Sequence, residues 1–233
     1  MRSIQLKAIT AAAALGCVAG VSGAAVLYPV ADTYVHQGEP TNNFGSATSV
    51  VVANDGGNAQ SKSKDRIGLF RFDLTDAPAN VTSATLKLTA NASTGNDNHG
   101  YEIWAIPDGE ADEAFDESTL TFNNFTYAST AHDGSLDLSQ LTLLVSSTRD
   151  DDDGAQDEVY QFSSQALVDF INADTNKIIT LIVFQWDGQN GNASSFFSRE
   201  AASNQPELIL VPEPASIALL GLGGLGLLRR RRG

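Results

Sequence analysis

The sequence predicts an all-β fold: a single antiparallel β-sandwich, jelly-roll-like, with one short helix. Three observations lead there. Apolar residues recur with a period of two, as in Thr85-Leu86-Lys87-Leu88-Thr89, which marks strands with one wet face. Clusters such as Asn54-Asp55-Gly56-Gly57-Asn58, Thr94-Gly95-Asn96-Asp97-Asn98 and Asp187-Gly188-Gln189-Asn190-Gly191-Asn192 punctuate the runs with residues that tolerate positive φ. Only one segment reads as helical. Many short strands joined by turns and a single helix fit two packed sheets.

In chain order the expected strands are Asp32–Val35, Ser49–Ala53, Ile67–Phe72, Ser83–Ala90, Tyr101–Ile106 and Thr119–Phe122. They continue with Leu141–Val145, Val159–Phe162, Ile178–Gln185, Ser194–Ser198 and Glu207–Val211. The helix follows the eighth strand. Ser163 or Ser164 can cap it, and Ala166, Leu167, Phe170 and Ile171 make one apolar stripe.

Both ends carry export features. Arg2 and Lys7 precede the apolar run Ala8–Ala19, and small residues at Ser22 and Ala24 suit cleavage before Ala25, so residues 1–24 read as a signal peptide. Cys17 is the chain's one cysteine; it follows Ala14-Leu15-Gly16, where a lipobox would have leucine in place of Ala14. Cleavage before Ala25 leaves no thiol, so an ordinary core, helped by metal in one reading, must supply stability in an oxidising compartment. At the other end, Pro212-Glu213-Pro214 precedes an uncharged stretch and the block Arg229-Arg230-Arg231-Arg232. Arginines cross a bilayer only at high cost and hold that end on the cytoplasmic side. The uncharged stretch Ala215–Leu228 has 14 residues. As a helix it would reach about 21 Å, short of the ~30 Å hydrocarbon core, which suits a transient anchor better than a permanent span.

Tripeptide, apolar stretch and arginine block in this order resemble the PEP-CTERM sorting signal of bacteria that build an exopolysaccharide matrix. The resemblance implies recognition of the tripeptide and removal of the tail by exosortase, a membrane protease. Passage through the inner membrane would then be transient, and delivery would be to the cell surface or extracellular matrix. Residues 212–233 form this signal and residues 25–211 the folded domain.

Charge narrows the partners. Of 14 basic residues, Arg2, Lys7 and Arg229–Arg232 lie in the ends, whereas Glu213 is the one acidic residue of 28 that does. Residues 25–211 keep 8 basic and 27 acidic groups, a net charge of −19. Nucleic acid and anionic membrane surfaces demand the opposite field and are excluded as partners.

Several segments of the domain resemble the DNRLRE domain, an extracellular module of bacteria and archaea that overlaps a carbohydrate-binding module family with alginate-binding members. They are Ala31-Asp32-Thr33-Tyr34-Val35, Asn43-Phe44-Gly45-Ser46, Asp65 to Leu74, Val81 to Leu88, Phe115 to Asn124, and Phe196 to Ala202 before Gln205-Pro206-Glu207-Leu208. Phe115 and Phe122 stand where the family often has tryptophan. The resemblance implies a carbohydrate-associated β-sandwich, with Arg71 and Arg199 matching the family's arginines.

For chemistry, the chain lacks Gly-x-Ser-x-Gly, His-Glu-x-x-His and a phosphate-binding glycine loop, and three histidines without cysteine make a poor metal-hydrolase set. The expected function is therefore non-catalytic: carbohydrate association or a structural role in a polysaccharide matrix. A secreted polysaccharide-degrading enzyme and a calcium-dependent structural surface protein remain the alternatives. A flat aromatic face stacks on pyranose C–H groups. Trp186, flanked by Gln185 and Asp187 at the end of an apolar strand, is the leading platform; Trp104, between Ile103 and Ala105, reads as core. Arg71 near Asp73 and Arg199 beside Glu200 can serve as sugar contacts or as internal ion pairs. For calcium, Asp150, Asp152 and Asp157 offer hard oxygens around Gly154, and Asp108 to Glu117 forms a second acidic run.

Overall fold

The computed structural model describes residues 23–54, 65–92, 100–131, 135–148, 155–185 and 193–214. The compact unit runs from Gly23 to Glu213. Its strands are β1 (Ala25–Leu27), β2 (Ala31–His36), β3 (Ser49–Ala53), β4 (Arg66–Asp73), β5 (Val81–Thr89) and β6 (Gly100–Ala105). After a 3-10 turn at Leu138–Gln140 come β7 (Thr142–Thr148), β8 (Val159–Ser163), helix α1 (Gln165–Ala173), β9 (Ile178–Gln185), β10 (Ala193–Phe197) and β11 (Glu207–Pro212). The smaller sheet has the order β1-β11-β5-β8. The larger has β10-β3-β4-β9-β6-β7, with β2 also paired to β4. Every pairing is antiparallel, so the expected all-β sandwich with one short helix is the architecture found.

Alternation decides which residues fill the space between the sheets. Phe70 and Phe72 of β4, Leu86 and Leu88 of β5, and Leu181 and Val183 of β9 point inward and are fully buried. Tyr101 meets Tyr160, Phe162 and Phe196 edge-on at 5.7, 6.0 and 5.8 Å, a favourable arrangement for rings with negative faces and positive edges. Helix α1 closes one side. The Ser164 hydroxyl accepts the Leu167 N–H at 3.0 Å and caps the helix. Leu167, Val168 and Ile171 are buried against the core, and Asn172 exchanges two 2.9 Å hydrogen bonds with the backbone of Val81.

The larger sheet is buried on both faces. Ile67 and Leu69 of β4 and Ile182 and Phe184 of β9 point away from the sandwich into a second cluster with Phe115, Leu120, Phe125, Tyr127 and Leu136. The segment between β6 and β7 therefore forms an outer layer. The strand expected at Thr119–Phe122 is absent: this stretch is a run of turns. Side chains there outcompete any ladder for the backbone. Asp116 Oδ1 accepts the Ser118 N–H at 2.9 Å, and Asn124 Oδ1 accepts the Thr121 N–H at 2.7 Å. Asn124 also donates to the Thr119 carbonyl at 3.0 Å. Strand β1 was not expected; it adds Ala25–Leu27 to β11 at the edge of the smaller sheet.

Candidate functional site

Segments far apart in sequence converge on Phe115–Leu120. Asn43 donates its amide to the carbonyls of Glu117 and Leu120 at 2.6 and 2.8 Å. Gly45 packs so closely that a Cβ would stand 2.0 Å from the Glu117 carbonyl oxygen, which leaves room for glycine alone. Beside it, Tyr34 and Phe44 stack at 4.3 Å and 17°, both half-buried.

Both family arginines close on the same stretch. Arg71 donates Nη1 to the Phe115 carbonyl and holds its guanidinium 5.5 Å from the Phe115 ring centroid. The Arg71–Asp73 pair that the sequence suggested is replaced by these contacts, because Asp73 turns back to accept the Thr75 N–H at 2.8 Å. Arg199 donates Nε to Glu117 Oε2 at 3.0 Å and Nη2 to Glu117 Oε1, the two-toothed grip that a planar guanidinium offers a carboxylate. Its Nε also lies 2.9 Å from Glu200 Oε1, so the expected Arg199–Glu200 pair is present. Glu117 Oε2 accepts the Asp32 N–H at 3.0 Å, and Asp32 Oδ2 accepts the Arg199 N–H at 2.7 Å. Gln205 donates to the Arg199 and Ala201 carbonyls.

Two carboxylates thus grip the Arg199 guanidinium, and a third carboxyl, Asp32, holds the Arg199 backbone. Asp32 is 1% exposed, and burial pushes its carboxyl up to about 8, against the Arg199 N–H bond; Glu200 and Glu117 add repulsion. The raised Asp32 carboxyl favours its protonated form at neutral pH, which leaves the two carboxylates of Glu117 and Glu200 facing the Arg199 guanidinium. Both arginines are engaged in holding the outer layer on the sheet.

The other expected site residues fall elsewhere. Gln185 ends β9 opposite Tyr101 and is fully buried. Trp186 and Asp187 follow it in sequence and lie outside the described residues. The strand ends Ala53, Arg66, Gly100, Thr148, Gln185 and Ala193 gather at this same end of the larger sheet. Trp104, expected in the core, is half-buried on the outward face and donates its indole N–H to Glu102 at 2.9 Å. Asp150 and Asp152 lie outside the described residues. Asp157 is exposed, has φ 67° and accepts the Asn204 amide at 3.2 Å. Among the described residues, the carboxylates placed to share one cation are Asp108, Glu113 and Asp174, at the opposite end of the sandwich. Asp108 and Glu113 stand out in sequence only as part of an acidic run, and Asp174 gives no signal.

Of the sorting residues, Pro212 still pairs with Val81 as the last residue of β11, and the Glu213 N–H bonds the Asn80 carbonyl at 3.1 Å. Pro214 is the last described residue; Arg229 to Arg232 lie beyond it. No helix among the described residues is long and apolar enough to cross a membrane. A family model described as carbohydrate-binding module family 96 matches residues 23–142. A second, described as the PEP-CTERM protein-sorting motif, matches residues 210–232. Curated proteins give no match.

Proposed function

The chain belongs to carbohydrate-binding module family 96, and on that premise we propose a non-catalytic module that holds a polysaccharide at the cell surface or in the extracellular matrix. The PEP-CTERM motif makes it an exported surface protein and an exosortase substrate. Residence in the inner membrane is transient and ends when the tail is removed.

One observation carries the non-catalytic reading: the polar cluster built from the family signature is spent on structure. A glycosidase needs two carboxyl groups about 5–10 Å apart across a cleft that admits sugar. Asp32 is buried, and Glu117 is held by Arg199. Recognition then falls to aromatic stacking, with Trp186 as the platform and Asp187 beside it in sequence; Arg71 and Arg199, bound to the Phe115 carbonyl and to Glu117, are left out of the sugar contact. Gln185 is buried at the end of β9 and is left out of the sugar contact. At a net charge of −19 over residues 25–211, a neutral polysaccharide is the ligand class favoured over an anionic one.

Affinity electrophoresis tests this. A neutral glucan gel retards the protein, and Trp186→Ala removes on the order of 1–2 kcal/mol of affinity with the fold intact. Stronger retardation by alginate than by neutral glucans would overturn the ligand class. Unfolding of Trp186→Ala would overturn the platform and turn attention to Arg71 and Arg199. Cleavage of any polymer by the protein would replace the module with an enzyme.

A further inference from the structure

Asp108, Glu113 and Asp174 meet where the segment after β6 passes the turn between α1 and β9. One carboxylate oxygen of each lies within 4.8 Å of those of the other two. Glu113 is 3% exposed. Its Oε2 accepts the Gly109 N–H at 2.8 Å and the Asn176 amide at 2.6 Å. Its Oε1 is buried with no hydrogen-bond partner. Asp174 repeats the pattern: Oδ2 accepts the Lys177 N–H at 2.8 Å, and Oδ1 is buried without a partner. Asp108, the exposed member, uses Oδ2 to accept from the Thr175 backbone and hydroxyl at 3.2 and 2.5 Å.

Buried carboxylate oxygens are normally satisfied, and an orphan signals a missing positive or donating group. Asp32 Oδ1 and Glu200 Oε2 are orphans too, but they sit in the cluster that holds the Arg199 guanidinium; the two orphans of the Asp108–Glu113–Asp174 triad have no guanidinium beside them. We propose that Asp108, Glu113 and Asp174 bind one divalent cation, and that the cation is calcium. All three donors are hard oxygens. Calcium bonds of about 2.3–2.6 Å allow two ligand atoms on one ion to stand up to roughly 4.6–5.2 Å apart. Magnesium, at about 2.0–2.1 Å, closes that reach to about 4.2 Å and resists losing its waters. Exposed Asp108 leaves a side open for water to complete the coordination. The ion pins the start of the outer layer to the turn that follows the helix.

The test uses the full chain in mild detergent, stripped with EDTA and titrated with calcium chloride, with magnesium chloride as a second arm. Wild type binds calcium more tightly than magnesium. Glu113→Gln and Asp174→Asn each weaken the calcium site at least about tenfold. Replacing Asp150, Asp152 and Asp157 by Asn leaves this site unchanged. Melting curves supply a readout that a merely structural role would not move. In EDTA, Glu113→Gln melts at or above wild type, because a buried charge is gone; in calcium it melts several degrees below. Absence of calcium binding in wild type, unchanged affinity in both single variants, or loss of stability in EDTA as large as in calcium would each overturn the proposal. So would a calcium response lost with Asp150, Asp152 and Asp157, which would put the ion in that acidic run.

Discussion

Glu113 and Glu117 stand four residues apart in the outer layer, yet they anchor clusters of opposite design. Around Glu117 the counter-charge is built in: Arg199 grips the carboxylate, Glu200 shares the guanidinium, and Asp32 is pushed toward its neutral form. Around Glu113 two further carboxylates gather with no guanidinium; each cluster holds two buried carboxylate oxygens without a hydrogen-bond partner, on Glu113 and Asp174 here and on Asp32 and Glu200 there. The difference teaches how a strongly acidic domain folds carboxylates inward. With 8 basic residues against 27 acidic ones over residues 25–211, the domain sets a guanidinium among the carboxylates of one cluster; at the other, Lys177 acts on Asp174 and the proposed calcium would come from the medium.

Removing the built-in cation strikes this contrast hardest. Arg199→Met leaves carboxylates facing one another and costs about 2–3 kcal/mol, below the ~3–5 kcal/mol of a fully buried pair because 36% of the Arg199 side chain is exposed. Denaturant melts in EDTA and in calcium should give the same loss. If calcium restores the variant, the two clusters are interchangeable and the distinction falls. Next in size is Gly45→Ala, where the added methyl meets the Glu117 backbone; overpacking of this kind costs about 1–3 kcal/mol and should loosen the Glu117 cluster while leaving the calcium affinity of the triad intact. The smallest effect concerns Asp32. Its carboxyl titrates near 8 in the fold against an ordinary 3.8, so the native state holds the extra proton between those values. Its contribution to stability is full below about pH 4 and is lost as pH rises through about 8. Asp32→Asn keeps an acceptor for the Arg199 N–H but cannot ionise. Relative to wild type it should gain at least about 1 kcal/mol between pH 5 and pH 9. Parallel stability profiles for the two proteins would show that Asp32 does not titrate in this range.

Much of the sandwich was legible because alternation is a local signal. Ser49–Ala53 and Ile178–Gln185 begin and end where the sequence places them, and Ser164 caps the helix as one of the two candidates. The outer layer was misread for a physical reason. Thr119 to Phe122 looks like a strand by composition, but Asp116 and Asn124 divert its backbone into turns, and Leu120 and Phe122 bury against a sheet that composition does not reveal. One clue existed. Ile178 to Phe184 is apolar almost without alternation, the mark of a strand covered on both faces. Trp104 escaped for the same reason, since the burial of an outward face depends on what covers it. At the Glu117 cluster, the family segments named the partners but not their geometry. The triad gave less still, because antiparallel pairing, rather than any regular spacing, brings Asp174 beside Glu113.

The position of Pro212 has a mechanical consequence. It closes β11, which lies between β1 and β5 in the smaller sheet, and is also the first residue of the sorting tripeptide, so strand and tripeptide overlap. A load applied through the C-terminus would enter β11 along its own axis. The hydrogen bonds to both neighbouring strands would be sheared together rather than opened one at a time. Such a connection resists pulling far better than a strand peeled from an edge. Under such a load the last strand is a tensile member, and the sandwich is the grip that keeps it from sliding out.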